Sequence, residues 1–301
     1  MDALAIPLLL LVGALLAVQA GANVQLAAAL NSPIGASALQ LTIGAALLIA
    51  LAALAGGIGA AAVLDDVDAW HLLGGLGSAI YITAGILLFP RLGAVMTVGL
   101  FVAGQMLASL ILDGAGWLGV AREPVDAAAI AGAAAVLAGI TLVVRGQAGA
   151  RGLGGAAAHW IALALVAGAA LPVQGAVNAR LRADLDAPIT AGAWSFVVAA
   201  TAMLAVLALD RGTPELGRLG RVPWWGGLGG LCGATYVTSV FLLIPEIGVA
   251  PTIGLTVAGQ QVASVFVDRH GLLRLPRRPV TRVRLVGIVT LLAGVALIQA
   301  A

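Results

Sequence analysis

The chain has 301 residues, of which 61% are apolar and 9% are charged. A typical soluble domain is about 45–50% apolar and about 25% charged, so this chain has too little polar surface to cover a water-soluble globule. The composition argues against a soluble enzyme and a disordered chain, and a net charge of +2 is too small for the basic surface of a nucleic-acid binder. It is typical of a polytopic membrane protein.

Ten apolar segments are each long enough to cross the hydrocarbon core of a bilayer, which takes about 20 residues of helix. Membrane strands would be shorter and would alternate in polarity, so we predict an all-α membrane protein with ten transmembrane helices. The segments are Leu4–Leu30, Pro33–Ala55, Leu72–Phe89, Leu92–Leu112, Ala127–Val144, Trp160–Leu181, Pro188–Leu209, Trp225–Leu243, Ile247–Val267 and Val283–Ala300.

The two halves of the chain repeat one another. A shift of 155 residues aligns the sequence with itself without a gap, and residues 155 positions apart are called repeat mates below. Internal repeats of this length indicate a duplicated structural unit. The polar repeat mates are Gln19/Gln174, Asn23/Asn178, Tyr81/Tyr236 and Gln105/Gln260.

Each half contains five segments, an odd number, so the second half must enter the membrane from the opposite side. We therefore predict a first repeat over residues 1–145, a linker over 146–158 and an inverted second repeat over 159–301. Inverted repeats are typical of secondary transporters, in which a site between the halves is reached from either side in turn. The alternative is that duplication only built a larger helical bundle.

The arginines indicate an orientation. Three of the 15 lie in loops on the side of the N-terminus (Arg122, Arg180 and Arg182), and twelve lie on the other side. Cytoplasmic loops carry the excess of Arg, which places both termini outside. The twelve are Arg91, Arg145, Arg151, Arg211, Arg218, Arg221, Arg269, Arg274, Arg277, Arg278, Arg282 and Arg284.

Three motifs recur in both halves. They are Gln-x-x-x-Asn in the first segment, Gly-Gly-x-x-x-Ala-x-Tyr in the third (residues 74–81 and 229–236) and Gly-Leu-x-Val-Ala-Gly-Gln in the fourth (99–105 and 254–260). With the five-plus-five arrangement, they resemble the YdcZ-like branch of the drug/metabolite transporter superfamily over essentially the whole chain. The resemblance implies a bacterial plasma-membrane protein related to small multidrug-resistance dimers, here fused into one chain. Many relatives in the superfamily have cytoplasmic termini, the opposite of what the arginines indicate.

One difference from the superfamily concerns coupling. Its small cation/proton antiporters use a glutamate in the first segment, whereas the first segments of both halves here have no acidic residue in their interiors. Coupling through a carboxylate at that position is therefore not supported. Asp113 and Asp268 end the fourth segments, where we expect solvated helix ends, with a proton acceptor at a cavity mouth as the alternative.

Polar side chains inside the segments are the candidates for a transport site, since burial in hydrocarbon costs free energy unless they face protein or a cavity. Amides donate and accept hydrogen bonds, so they suit a neutral or zwitterionic solute, or a cation held by their carbonyls. The alternative is that they only join helices. The substrate-binding candidates are Gln19, Asn23, Gln174, Asn178, Tyr81, Tyr236, Gln105, Gln260 and Trp194.

The resulting prediction is a secondary active transporter that exports a small organic metabolite or drug-like solute by alternating access. A passive channel or a non-transporting scaffold is the alternative. An enzyme is not expected, because no segment contains a histidine or a carboxylate pair, and the single cysteine, Cys232, provides no metal site. The expected partners are the solute, lipid and optionally a coupling ion, with no cofactor and no nucleic acid, in a monomer or homodimer.

Overall fold

The computed structural model describes residues 4–120, 122, 125–148, 156–210, 214–247 and 249–300. Within them the chain forms ten α-helices and short 3₁₀ turns, and no strand. The helices are α1 (Ala5–Leu30), α2 (Pro33–Leu54), α3 (Leu76–Leu92), α4 (Ala94–Ala115), α5 (Ala127–Ala148), α6 (Ala156–Leu185), α7 (Pro188–Leu209), α8 (Gly229–Ile247), α9 (Val249–His270) and α10 (Arg282–Ala300). The all-α prediction is confirmed.

Seven stretches of the described chain are long and apolar enough to cross a membrane, namely α1, α2, α4, α7 and residues His71–Leu92, Ala127–Gly146 and Ala158–Leu185. The three remaining helices, α8, α9 and α10, are the repeat mates of α3, α4 and α5. Of the predicted linker, residues 149–155 lie outside the described residues, while 146–148 belong to α5 and 156–158 to α6.

The turn that joins the first two helices shows why they end where predicted. Asn31 follows α1 in the left-handed conformation, with φ of 49°, which Asn adopts more readily than most residues. The Ser32 hydroxyl accepts a hydrogen bond from the Gly35 N–H at 2.9 Å and so caps α2, and Pro33 occupies its first turn. Asp186, the repeat mate of Asn31, also has a positive φ, 46°.

The third helix of each half starts later than predicted. The predicted starts were Leu72 and Trp225, but α3 begins at Leu76 and α8 at Gly229. The residues before them form 3₁₀ turns, at His71–Leu73 and Trp224–Gly227, which hydropathy cannot distinguish from α-helix.

The contacts between α5 and α10 establish the inverted symmetry. A side chain at Gly132 would meet Ile298, and one at Gly139 would meet Leu291, so residue numbers rise along one helix as they fall along the other. The two helices are therefore antiparallel. Because they are also repeat mates, the axis that relates the halves lies perpendicular to them, in the membrane plane.

The two halves are interlocked: the first helix of each half packs on helices of the other half. Helix α1 packs on α8 and α9 of the second half, and α6 packs on α3 and α4 of the first. Gly13 of α1 lies against the backbone of Thr256, and its repeat mate Gly168 lies against the backbone of Phe101, the mate of Thr256. Small residues allow such close approach of membrane helices, so much of the core lies between the halves.

The turns fall on two opposite faces of the bundle. On the face with twelve arginines, called the Arg-rich face, Asn31 in the α1–α2 turn is hydrogen-bonded to Glu215 in the α7–α8 connection at 3.4 Å. On the other face, His71 lies 2.5 Å from Asp184 at the end of α6. These contacts join turns that ten crossings place on the same side. Arg151 and Arg211 lie outside the described residues.

Candidate functional site

A small cavity lies where α1, α3, α4 and α9 meet. Its volume is about 10 Å³, which is about the minimum for one water molecule. The first half supplies most of its wall, and α9 of the second half closes it. The lining residues are Leu16, Gln19, Ala20, Asn23, Tyr81, Ile82, Gly85, Phe89, Phe101 and Gln260.

The paired asparagines make equivalent contacts in the two halves. Asn23 Nδ2 donates to Gln40 Oε1 at 3.2 Å, and Asn178 Nδ2 donates to Ser195 Oγ at 3.0 Å. Gln40 and Ser195 are themselves repeat mates. Asn23 and Asn178 are 1% and 4% exposed, so the first helix of each half is joined to the second by a buried polar contact.

The carbonyl oxygens of the two asparagines have no hydrogen-bond donor among the described residues. Asn23 Oδ1 faces Gly229 and Asn178 Oδ1 faces Gly74, at positions that a Cβ would occupy. Glycine is required at both places because any side chain would displace the amide. A buried acceptor without a donor costs about 1–3 kcal/mol, so each oxygen is available to a ligand that brings one.

The glutamines one turn earlier differ between the halves. Gln174 Oε1 accepts a hydrogen bond from the Ser78 hydroxyl at 2.9 Å. The repeat mate of Ser78 is Gly233, which lies next to Gln19 Nε2 and offers no hydroxyl. The Gln19 amide therefore borders the cavity without the serine contact that Gln174 makes.

A hydrogen bond between the halves crosses the cavity wall. Gln260 Nε2 on α9 donates to the Tyr81 hydroxyl on α3 at 2.9 Å. The Tyr81 ring packs on Phe101 with ring centroids 4.5 Å apart, which fixes the direction of the hydroxyl. Gln260 is 3% exposed, so this contact joins the two halves in a buried position.

We expect Tyr81→Phe to lower the free energy of unfolding by about 1–2 kcal/mol, because Gln260 Nε2 loses its acceptor while the ring contact with Phe101 is kept. Tyr81→Phe combined with Gln260→Leu should recover part of that loss, since no buried donor remains. Thermal unfolding of the purified protein in detergent measures both. Equal melting temperatures for Tyr81→Phe and the parent chain would contradict this role of the hydroxyl.

The structure brings four of the nine predicted residues together around this cavity: Gln19, Asn23, Tyr81 and Gln260. The other five do not line it. Gln174 and Asn178 make the equivalent contacts in the second half, Gln105 is buried on α4 and Tyr236 is half-buried on α8. Trp194 Nε1 donates to the Leu72 carbonyl at 3.2 Å, near the turn before α3.

Three polar residues that contact the predicted ones were missed as candidates: Gln40, Ser78 and Ser195. Gln40 and Ser195 are 1% and 2% exposed on α2 and α7. Their signal in the sequence is that both are polar, lie inside apolar segments and are repeat mates. Ser78 gives no such signal, because its mate is Gly233.

A second buried polar group lies at the Arg-rich face, where a solvated helix end was expected. That expectation for Asp268 is wrong. Its Oδ2 lies 2.7 Å from Arg284 Nη2, and each side chain is 1% exposed. The carboxylate also accepts hydrogen bonds from the N–H groups of Ala94 at 2.8 Å and Val95 at 3.2 Å. It thus caps the start of α4, where a negative charge is favoured by the helix dipole.

The Asp268–Arg284 pair lies within the second half, and the hydrogen bonds that Asp268 accepts from α4 connect it to the first half. Asp268 belongs to α9 and Arg284 to α10, whereas the capped helix α4 belongs to the first half. The repeat mate of Arg284 is Ala129, which cannot form an ion pair. Arg284 was counted among the loop arginines, but it lies inside α10 and is buried.

Comparisons with known proteins agree with this fold. The family model described as "Putative inner membrane exporter, YdcZ" matches residues 4–142 and 159–297. A solved crystal structure of a protein is 21% identical to this chain, with a TM-score of 0.54 and coverage of 95% of each chain. At that identity the likeness shows the fold alone. No curated protein matches this chain.

Proposed function

Since the chain belongs to the YdcZ family of inner membrane exporters, of the drug/metabolite transporter type, and is a multi-pass inner membrane protein, we propose that it exports a small organic solute by secondary active transport. The observation that carries the proposal is the polar cavity between the halves, where Gln19, Asn23 and Tyr81 of the first half meet Gln260 of the second. Sites at repeat interfaces serve alternating access in other transporters.

The volume of the cavity supports a mechanism with moving helices. At about 10 Å³ it admits about one water and no organic solute, so in this conformation the site is closed. A solute could enter only if α1 or α3 moved away from α9. Motion of α3 would break the Gln260–Tyr81 hydrogen bond, and a donor or acceptor on the solute would replace it.

The lining of the cavity favours a solute without net charge. None of its ten lining side chains carries a formal charge at neutral pH, and their polar groups are amides and one phenol. A charged solute in such a site would lack a counter-charge at low dielectric. We propose that amide groups bind the solute and that no carboxylate in the first helices couples its movement to protons.

The orientation proposed from the arginines places the Arg-rich face in the cytoplasm and both termini outside. Accessibility of a cysteine introduced near Ala300 to a membrane-impermeant thiol reagent, in intact cells after Cys232→Ala, tests it. Labelling without permeabilisation supports external termini, and labelling only after permeabilisation contradicts them.

We expect Asn23→Ala and Asn178→Ala each to reduce the rate of solute uptake into proteoliposomes at least tenfold, because each removes a carbonyl oxygen that has no hydrogen-bond donor among the described residues and that we propose the solute uses. A solute is first identified by its ability to raise the melting temperature of the purified protein. Its flux should saturate with concentration, whereas a passive channel would give currents that do not.

The matched control is Thr141→Ala, which removes an exposed hydroxyl on α5 that donates to the Leu137 carbonyl of its own helix. It should leave flux unchanged. If both asparagine variants fold and retain full flux, the amides only join helices and the proposed site is wrong. If no solute moves in the parent chain, the scaffold alternative replaces transport.

A further inference from the structure

A groove at the Arg-rich face opens between the end of α9 and the side of α1. Its volume is about 460 Å³, within the range of about 300–1,000 Å³ that is typical of ligand sites. It lies apart from the polar cavity and shares no lining residue with it. The lining residues are Val18, Trp225, Val267, Leu272, Leu273 and Arg274.

The chemistry of the groove combines an apolar wall with a single charge. Val18, Val267 and the two leucines form a surface suited to an alkyl chain. At its rim, the Arg274 guanidinium carbon lies 6.0 Å from the centre of the Trp225 ring. In the described part of the chain Arg274 has no carboxylate partner, so its charge is available to an anion.

The backbone at Arg274 adopts a conformation that disfavours a side chain. Its φ is +56°, in the left-handed region that side chains rarely adopt. Its repeat mate in the first half is Gly119, with φ of +75°, where glycine adopts this conformation without strain. The duplicated turn therefore accepts glycine, yet the second copy carries an arginine.

The equivalent turn on the opposite face uses its guanidinium differently. There the arginine is on the helix, since Arg180 of α6 is the repeat mate of Gln25, and it donates to the Gly119 carbonyl. Its guanidinium is bonded to the protein backbone, whereas that of Arg274 lies over Trp225 at the rim of an apolar groove. At the Arg-rich face, the Arg274 guanidinium thus lies at the rim of an alkyl-sized groove, whereas the Arg180 guanidinium is bonded to the backbone.

We propose that this groove binds an anionic phospholipid, with the phosphate at Arg274 and an acyl chain along Val18, Val267 and Leu272. A phospholipid is the occupant that fits, because the groove belongs to a chain embedded in lipid and pairs an apolar wall with a basic rim. Basic pockets between membrane helices bind anionic headgroups in this way. Trp225 lies at the same rim, where tryptophan favours the membrane–water interface.

The test measures stabilisation of the full chain in detergent by phosphatidylglycerol and by phosphatidylcholine with identical acyl chains. We expect phosphatidylglycerol to raise the melting temperature by several degrees more than phosphatidylcholine. Inorganic phosphate at the same concentration should give no shift. Equal shifts from the two lipids, or an equal shift from phosphate alone, would overturn the proposal.

The decisive variant is Arg274→Gly, which installs the residue of its repeat mate and suits the positive φ. It should keep or raise the melting temperature without lipid and abolish the preference for phosphatidylglycerol. Arg274→Gln serves as a second variant with the same expected loss. Arg221→Gln removes an exposed charge from the same face and should keep the preference for phosphatidylglycerol. If Arg221→Gln loses that preference, or if Arg274→Gly keeps it, no specific site exists.

Discussion

Asp268→Asn is expected to lower the free energy of unfolding by about 3–5 kcal/mol, the cost of breaking a buried ion pair by removing one partner. The substitution leaves the Arg284 charge without its carboxylate in a place where that side chain is 1% exposed. It also weakens the cap on α4, since an amide oxygen accepts from the Ala94 and Val95 N–H groups less strongly than a carboxylate. Thermal unfolding in detergent, followed by circular dichroism, measures the loss.

The control for this prediction is an exposed ion pair at the same face. Arg218 and Glu215 lie 2.6 Å apart with side chains 47% and 39% exposed, and exposed pairs contribute only about 0–1 kcal/mol. Arg218→Ala should therefore change the melting temperature little. If Asp268→Asn destabilises no more than Arg218→Ala, burial does not give the Asp268–Arg284 pair the importance assigned to it.

A double replacement separates charge from packing. Asp268→Leu with Arg284→Met removes both charges and keeps apolar volume, and such replacements of buried pairs are often close to neutral. The double variant should be clearly more stable than Asp268→Asn. If it is equally unstable, the hydrogen bonds that Asp268 accepts from the start of α4, rather than the ion pair, dominate.

The path of the chain could be predicted because each membrane crossing is a long run of apolar residues. The constant offset between the halves also predicted the inverted symmetry, since five is odd and a membrane has two sides. Helix ends were predictable where local chemistry marks them, as at Ser32 and Pro33. They were not predictable ahead of α3 and α8, where hydropathy does not separate the 3₁₀ turns from the helices that follow.

The site could be predicted only in part, because repeat symmetry suggests pairs whereas the cavity is one-sided. Gln19 and Gln174 look equivalent in the sequence, yet Ser78 bonds to Gln174 and its mate Gly233 cannot bond to Gln19. The burial of Asp268 was equally hidden. Its partners are Arg284, 16 residues away, and the backbone of α4, 173 and 174 residues away. No local sequence pattern indicates contacts over such separations.

The second large effect is expected at a close contact between helices of opposite halves. Gly168 on α6 lies against the backbone of Phe101 on α4, and a Cβ there would overlap that backbone. Because the overlapping atoms belong to the backbone of a helix, a local side-chain adjustment cannot relieve the overlap. Gly168→Ala must therefore push α4 and α6 apart. We expect a loss of about 1–3 kcal/mol, as for overpacked cores, and a lower melting temperature in detergent.

The same helix provides the matched control. Gly175 lies two turns further along α6 with nothing within 4 Å of its missing Cβ, and its repeat mate is Ala20. Gly175→Ala should therefore be neutral, or stabilising by up to about 1 kcal/mol through helix propensity. The inverted symmetry adds a further requirement: Gly13→Ala, at the mate of Gly168, should cost about as much as Gly168→Ala, because Gly13 meets the backbone of Thr256 in the same way. If the Gly168→Ala and Gly175→Ala variants are equally stable, the close glycine contact between α4 and α6 is contradicted.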